Sequence, residues 1–135
     1  MAGQFFAFLS GNEEVPPVVT MASGSAFFSV SPDQRQIDFR LTVNNIERMT
    51  EAHIHLGRRG ENGPIVVFLF GPVSPGISVA QELITGTFTQ EAFIGPLSGE
   101  PMSVLIGEML DGNTYVNVHT EQNPAGEIRG QIQEY

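Results

Sequence analysis

The three histidines of this chain fall in two short motifs: His53 and His55 in Ala52-His53-Ile54-His55-Leu56-Gly57, and His119 closing Tyr115-Val116-Asn117-Val118-His119. Alternate side chains of an extended strand share a face, so His53 and His55 project to one side, about 7 Å apart along the backbone. A third imidazole carried in by a neighbouring strand completes a three-histidine set. Such a set suits copper, zinc, iron or nickel and leaves a coordination position open. The competing reading is structural, with the imidazoles on a wet sheet face or hydrogen-bonded into the fold. Ligand imidazoles must be deprotonated, so binding is expected to weaken as pH falls through the histidine range near ~6.5.

Residues around the histidines supply candidate supports. Glu51 shares the face of His53 and His55 and reads either as a fourth, oxygen ligand or as a solvated strand carboxylate. Metal-binding imidazoles need partners that fix their tautomers, and Glu51, Asn117 and Glu127 are placed for that role by face and proximity. Glu127 and Arg129, two apart, form an anion-handling pair, a brace for a site carboxylate, or a pair that satisfies itself. The loop Arg58-Arg59-Gly60-Glu61-Asn62-Gly63-Pro64 follows the histidine strand directly. It either overhangs the site or is simply solvated.

Composition removes much other chemistry. Six arginines and no lysine stand against fifteen carboxylates, for a net charge of −9. That acidic field repels nucleic acid and anionic membranes. Without lysine there is no Schiff-base amine and no Walker-type phosphate lysine; without cysteine there is no thiol nucleophile, disulfide or zinc-thiolate site. No nucleophile elbow surrounds any serine. No run approaches the ~20 apolar residues of a bilayer span, and the N-terminus lacks the order of a signal peptide.

The elements that must carry these residues read as β-strands. Fifteen glycines and nine prolines punctuate short apolar runs along 135 residues, the length of one ordinary domain. Ile37, Phe39, Leu41 and Val43 alternate with Gln36, Asp38, Arg40 and Thr42, the pattern of a strand with one wet face. With residues 22–30 and the turn Ser31-Pro32-Asp33-Gln34 this makes a hairpin. Further strands are expected at 4–9, 50–56, 65–70, 83–89, 114–120 and 127–133, with 65–70 apolar on both faces as in a central strand. Met102, Leu105, Ile106 and Met109 recur at helical spacing and predict a short helix over 101–110, packed across one end. The expected architecture is all-β: an antiparallel Greek-key β-sandwich of about eight strands with one helix, a single domain over 1–135.

Five ordered blocks resemble the chordin-domain (CHRD) family over nearly the whole chain: 8–18 (FLSGNEEVPPV), 52–57 (AHIHLG), 62–69 (NGPIVVFL), 112–120 (GNTYVNVHT) and 123–132 (NPAGEIRGQI). That resemblance implies a small β domain found in an animal growth-factor antagonist and in microbial proteins, with no general activity attached. It leans towards an extracellular or cell-surface location and a protein partner or self-association. The histidine pattern also resembles the copper half of the Cu/Zn superoxide dismutase sandwich, by which His53, His55 and His119 match three copper ligands. No histidine remains to bridge to zinc, and no disulfide can form. The expectation is a non-catalytic binding module with a surface copper, or alternatively zinc, site at these histidines. Two alternatives accompany it: a copper-dependent redox enzyme, and a metal-free adhesive module.

Overall fold

The computed structural model describes residues 3–135. Its strands are β1 (Gln4–Ser10), β2 (Ser23–Val30), β3 (Gln36–Leu56), β4 (Ile65–Phe70), β5 (Ile77–Thr89), β6 (Thr114–Thr120), β7 (Ile128–Gln131) and β8 (Gln133–Glu134), with one helix, α1 (Met102–Leu110). All pairings are antiparallel. The alternation read from residues 36–43 is realised: Ile37, Phe39, Leu41 and Val43 are buried, while Gln36, Asp38 and Arg40 are exposed. The β2–β3 turn is closed by Ser31 N–H donating to Gln36 at 2.9 Å, with Arg35 N–H donating to the Asp33 side chain at 3.0 Å.

The runs 36–43 and 50–56, expected as two strands, are one strand of 21 residues. Asn45 and Arg48 take positive φ values of 52° and 53°, and the register slips between Ile46 and Met49. Such a break bends the strand and turns it from one sheet into the next. Before the bend β3 pairs with β2 and β5; after it, with β6 and β4. Because β1 joins β2 to β7 and β7 joins β6, the order β2-β1-β7-β6-β3 closes on itself through the β2–β3 pairing. The result is a barrel-like sandwich in which one strand serves both layers.

Two other expectations are corrected. β5 begins at Ile77, six residues before the expected Leu83. β4 is an edge strand, paired with β3 alone, and Phe68 within it is 41% exposed. Six consecutive apolar residues therefore do not mark a central strand here; the unpaired side of β4 is partly covered by a loop that donates Ile94 N–H to Val66. The helix follows its sequence pattern, with Met102, Leu105, Ile106 and Met109 buried in the core and Pro101 at the N-terminal cap.

Candidate metal centre

The β3–β6 register sets Glu51 opposite His119, His53 opposite Asn117 and His55 opposite Tyr115. β7 extends the rows, with Arg129 opposite Asn117 and Gln131 opposite Tyr115. Since side chains alternate, Ala52, Ile54, Val116 and Val118 turn to the apolar core and these polar residues to the other face. That face is not wet. His53, His55 and His119 are 0%, 6% and 8% exposed, and all seven residues of β6 are buried.

Hydrogen-bond partners determine which ring nitrogens point inward. His53 Nε2 lies 2.7 Å from Glu51 Oε1, His55 Nδ1 lies 2.9 Å from the Gly63 carbonyl, and His119 Nδ1 lies 2.7 Å from the Pro124 carbonyl. Those oxygens accept, so each of these nitrogens carries its ring's proton. The bare nitrogens are then His53 Nδ1, His55 Nε2 and His119 Nε2. His53 Nδ1 and His119 Nε2 are 3.1 Å apart, and buried His55 Nε2 has no hydrogen-bond partner. One ligand atom from each ring can be chosen so that all lie within 4.8 Å of one another. Asn117 Oδ1, another acceptor, sits 2.9 Å from His119 Nε2.

Burial favours the neutral form of two of the rings. Burial, aided by the neighbouring His119 and His55, pushes His53 down from 6.5 to about 3. Burial also lowers His55, against the Gly63 hydrogen bond, which acts the other way. On this face Glu14, a buried residue of the loop after β1, is raised from 4.5 to about 7 by loss of solvent, opposed by Arg129 and by a hydrogen bond from Asn117. Gly126 closes over it: a Cβ there would stand 2.5 Å from Glu14 Oε2 and 2.6 Å from Asn117 Nδ2, and its φ is +125°. A substitution there meets both a clash and a backbone that other residues rarely adopt.

The structure brings His53, His55 and His119 together, with Glu51 and Asn117 on their rings. Glu51 touches His53 on the nitrogen turned away from His119, so it is placed to fix a tautomer and not to donate a fourth ligand oxygen. Glu127 is not at the histidines. Its carboxylate accepts from Thr20, Thr120, Gln122 and Asn123, bracing the turn that carries Pro124. Neither does Glu127 pair with Arg129, whose guanidinium donates to Arg58 O, Glu61 O and Asn62 Oδ1 and lies 3.5 Å over the Tyr115 ring. The loop after β3 does overhang the site, but its arginines face outward, Arg58 to Asp111 and Arg59 to Glu13. The expected surface site is in fact roofed. Sequence reasoning missed Glu14, Tyr115, Gly63 and Pro124; only Tyr115, two residues before Asn117 on the same strand face, was signalled by alternation.

Among the described residues, the histidine trio is the one group of three or more potential ligand side chains whose ligand atoms lie close enough together that they could hold a metal ion, and it sits on the buried polar face of a small antiparallel β module. The family model for the CHRD domain matches residues 5–132, and the chain belongs to that family. It is 32% identical over 128 residues to Chordin of Danio rerio, covering 92% of this chain and 12% of that protein. To Chordin of Xenopus laevis it is 29% identical over 134 residues, covering 98% of this chain and 12% of that protein. The chain thus spans about an eighth of the length of these curated relatives. No helix among the described residues is long and apolar enough to cross a membrane.

Proposed function

We propose that this CHRD domain is a non-catalytic binding module that holds one metal ion between His53 Nδ1, His55 Nε2 and His119 Nε2. Copper is the first choice, since imidazole sites bind Cu(II) most tightly among first-row divalent ions, and zinc the second. The observation that carries the reading is His119, whose two ring nitrogens both face oxygen acceptors, Pro124 O at 2.7 Å and Asn117 Oδ1 at 2.9 Å. A neutral imidazole donates only once, so its other nitrogen meets lone pairs unless a second proton or a metal ion lies there, and the metal ion is the occupant proposed here. The lowering of His53 to about 3, and of His55 in the same direction, by burial supports the same reading and shifts its pH window. Protons compete less well for these two rings than for free imidazoles, so binding persists further into acid. Binding is favoured over turnover because the rings are roofed and the net charge of −9 repels small anions such as superoxide.

The test is metal analysis of untagged protein, followed by calorimetric titration of chelator-treated protein with Cu(II) and with Zn(II). One equivalent is expected, lost in His119→Ala. Failure of both ions to bind overturns the assignment.

A second reading, a protein-interaction module, is favoured by a different surface, and the kinship with Chordin suggests that it works outside the cell. Phe6 and Phe8 of β1 (5.4 Å between centroids), Phe6 and Tyr135 (6.0 Å) and Phe27 of β2 and Tyr135 (6.5 Å) form an aromatic cluster, Tyr135 following β8, with Phe8, Phe27 and Tyr135 exposed. Exposed apolar clusters of this kind mark contact surfaces. Replacing Phe8 and Tyr135 with serine is expected to abolish self-association or partner capture while metal binding is retained; unchanged association on sedimentation and pull-down refutes this reading.

A further inference from the structure

The proposed metal site leaves open what compels His55 to present Nε2 inward, since a histidine on a strand can turn either nitrogen to either side. Three features converge on that ring. Tyr115 stacks against it, with centroids 4.6 Å apart and planes 10° from parallel. Arg129 covers Tyr115 at 3.5 Å, making a three-layer stack of guanidinium, phenol and imidazole across β7, β6 and β3. In addition, the Tyr115 hydroxyl accepts the Gly63 N–H at 3.1 Å, while the carbonyl of the same Gly63 accepts the His55 Nδ1 proton at 2.9 Å.

Gly63 is thus the contact between the loop and the ring, and the loop is bolted down by side chains of β7. Arg129 donates to Arg58 O at 2.9 Å, Glu61 O at 2.8 Å and Asn62 Oδ1 at 3.3 Å. Gln131 donates to Gly57 O at 2.6 Å. These bonds hold both ends of the segment between β3 and β4, so the Gly63 carbonyl has one position. Arginine suits the task because its planar fork serves several carbonyls at once while its face stacks on an aromatic ring.

We infer that Arg129 and Tyr115 are positioning residues that lock His55 as the Nδ1–H tautomer through Gly63, and so set Nε2 as the inward ligand nitrogen. The inference rests on the metal-binding reading for its purpose but not for its first test. Long-range proton–nitrogen NMR of 15N-labelled, chelator-treated protein reads the tautomer of His55 without any metal. Wild type is expected to show only Nδ1–H; Arg129→Gln is expected to show a tautomer mixture. Because Arg129 is buried and its replacement can unfold the chain, Asn62→Ala, at an exposed loop position, and Tyr115→Phe, which keeps the stack and removes one hydroxyl, serve as milder variants. Each is expected to shift the mixture in the same direction.

The second arm is competition titration with Cu(II), together with electron paramagnetic resonance of the copper-loaded protein. Affinity is expected to fall roughly 10- to 100-fold in Arg129→Gln, the usual effect of losing an outer contact to a ligand. The nitrogen hyperfine pattern is expected to drop from three imidazoles to two. A folded Arg129→Gln or Asn62→Ala variant that keeps pure Nδ1–H His55 overturns the inference, whatever the metal result. Wild-type protein that binds neither copper nor zinc removes the metal reading while the tautomer comparison still decides this one.

Discussion

Replacing Glu14 with glutamine tests whether the buried face is as dry as its geometry indicates. The Glu14 side chain is 5% exposed on a residue basis, its Oε2 has no hydrogen-bond partner, and burial raises its carboxyl from 4.5 to about 7. Between those two values the folded protein keeps a proton that the unfolded chain has released. Folding therefore takes up a proton in that window, and stability falls as pH rises through it. The shift corresponds to about 3 kcal/mol lost between pH 4.5 and 8. Glutamine keeps the shape and cannot ionise, so Glu14→Gln lacks this loss. Urea denaturation of both proteins at half-unit steps from pH 4.5 to 8, with chelator present, isolates the effect because all other titrating groups are shared. The variant's advantage over wild type is expected to grow by about 3 kcal/mol across the range, or on the order of 10 °C in Tm for a chain of this size. Two stability curves that stay parallel across the range refute the argument, since they would mean that the carboxyl ionises as freely folded as unfolded.

Other outcomes follow from the same site. His53 is lowered to about 3 while the unfolded chain takes its proton near 6.5, so stability is lost as pH falls between them, by about 4 kcal/mol at pH 3. His53→Gln is expected to flatten that acid limb in denaturant titrations. In Gly63→Ala a Cβ would stand 1.6 Å from Leu56 O, so the loop must move and carry its carbonyl from His55; copper affinity by competition is expected to drop roughly 10- to 100-fold. Ile54→Ala, on the core side between the two histidines and 0% exposed, is expected to cost about 3 kcal/mol in chemical denaturation while the folded variant still binds metal.

Period-2 alternation made the histidine pair legible, because it puts His53 and His55 on one face whatever the strand's surroundings. The arrival of His119 beside them was also legible as a possibility, since Val116 and Val118 mark the core side of β6. The bend in β3 was not. Asn45 and Arg48 adopt left-handed backbone without glycine, and no local signal joined the two runs they separate. The overhanging loop was one of two readings of residues 58–64, but its anchoring was not visible, because it depends on Arg129 and Gln131 reaching carbonyls about seventy residues away in sequence. Glu14 sat in a turn-rich stretch whose composition resembles any solvated loop; its burial comes from Gly126 and Asn117, which arrive from the other end of the chain. Glu127 shows the opposite error, since the nearest acid in sequence to Arg129 is claimed by hydroxyls and amides instead.

The continuity of β3 has a mechanical consequence. A single strand is hydrogen-bonded on both flanks, first by β2 and β5 and then by β6 and β4. The histidine segment cannot peel away alone: releasing it tugs on a backbone anchored in the opposite layer. Amide protons of residues 51–55 should therefore exchange with solvent only when the whole barrel opens, at the same rate as those of 37–43.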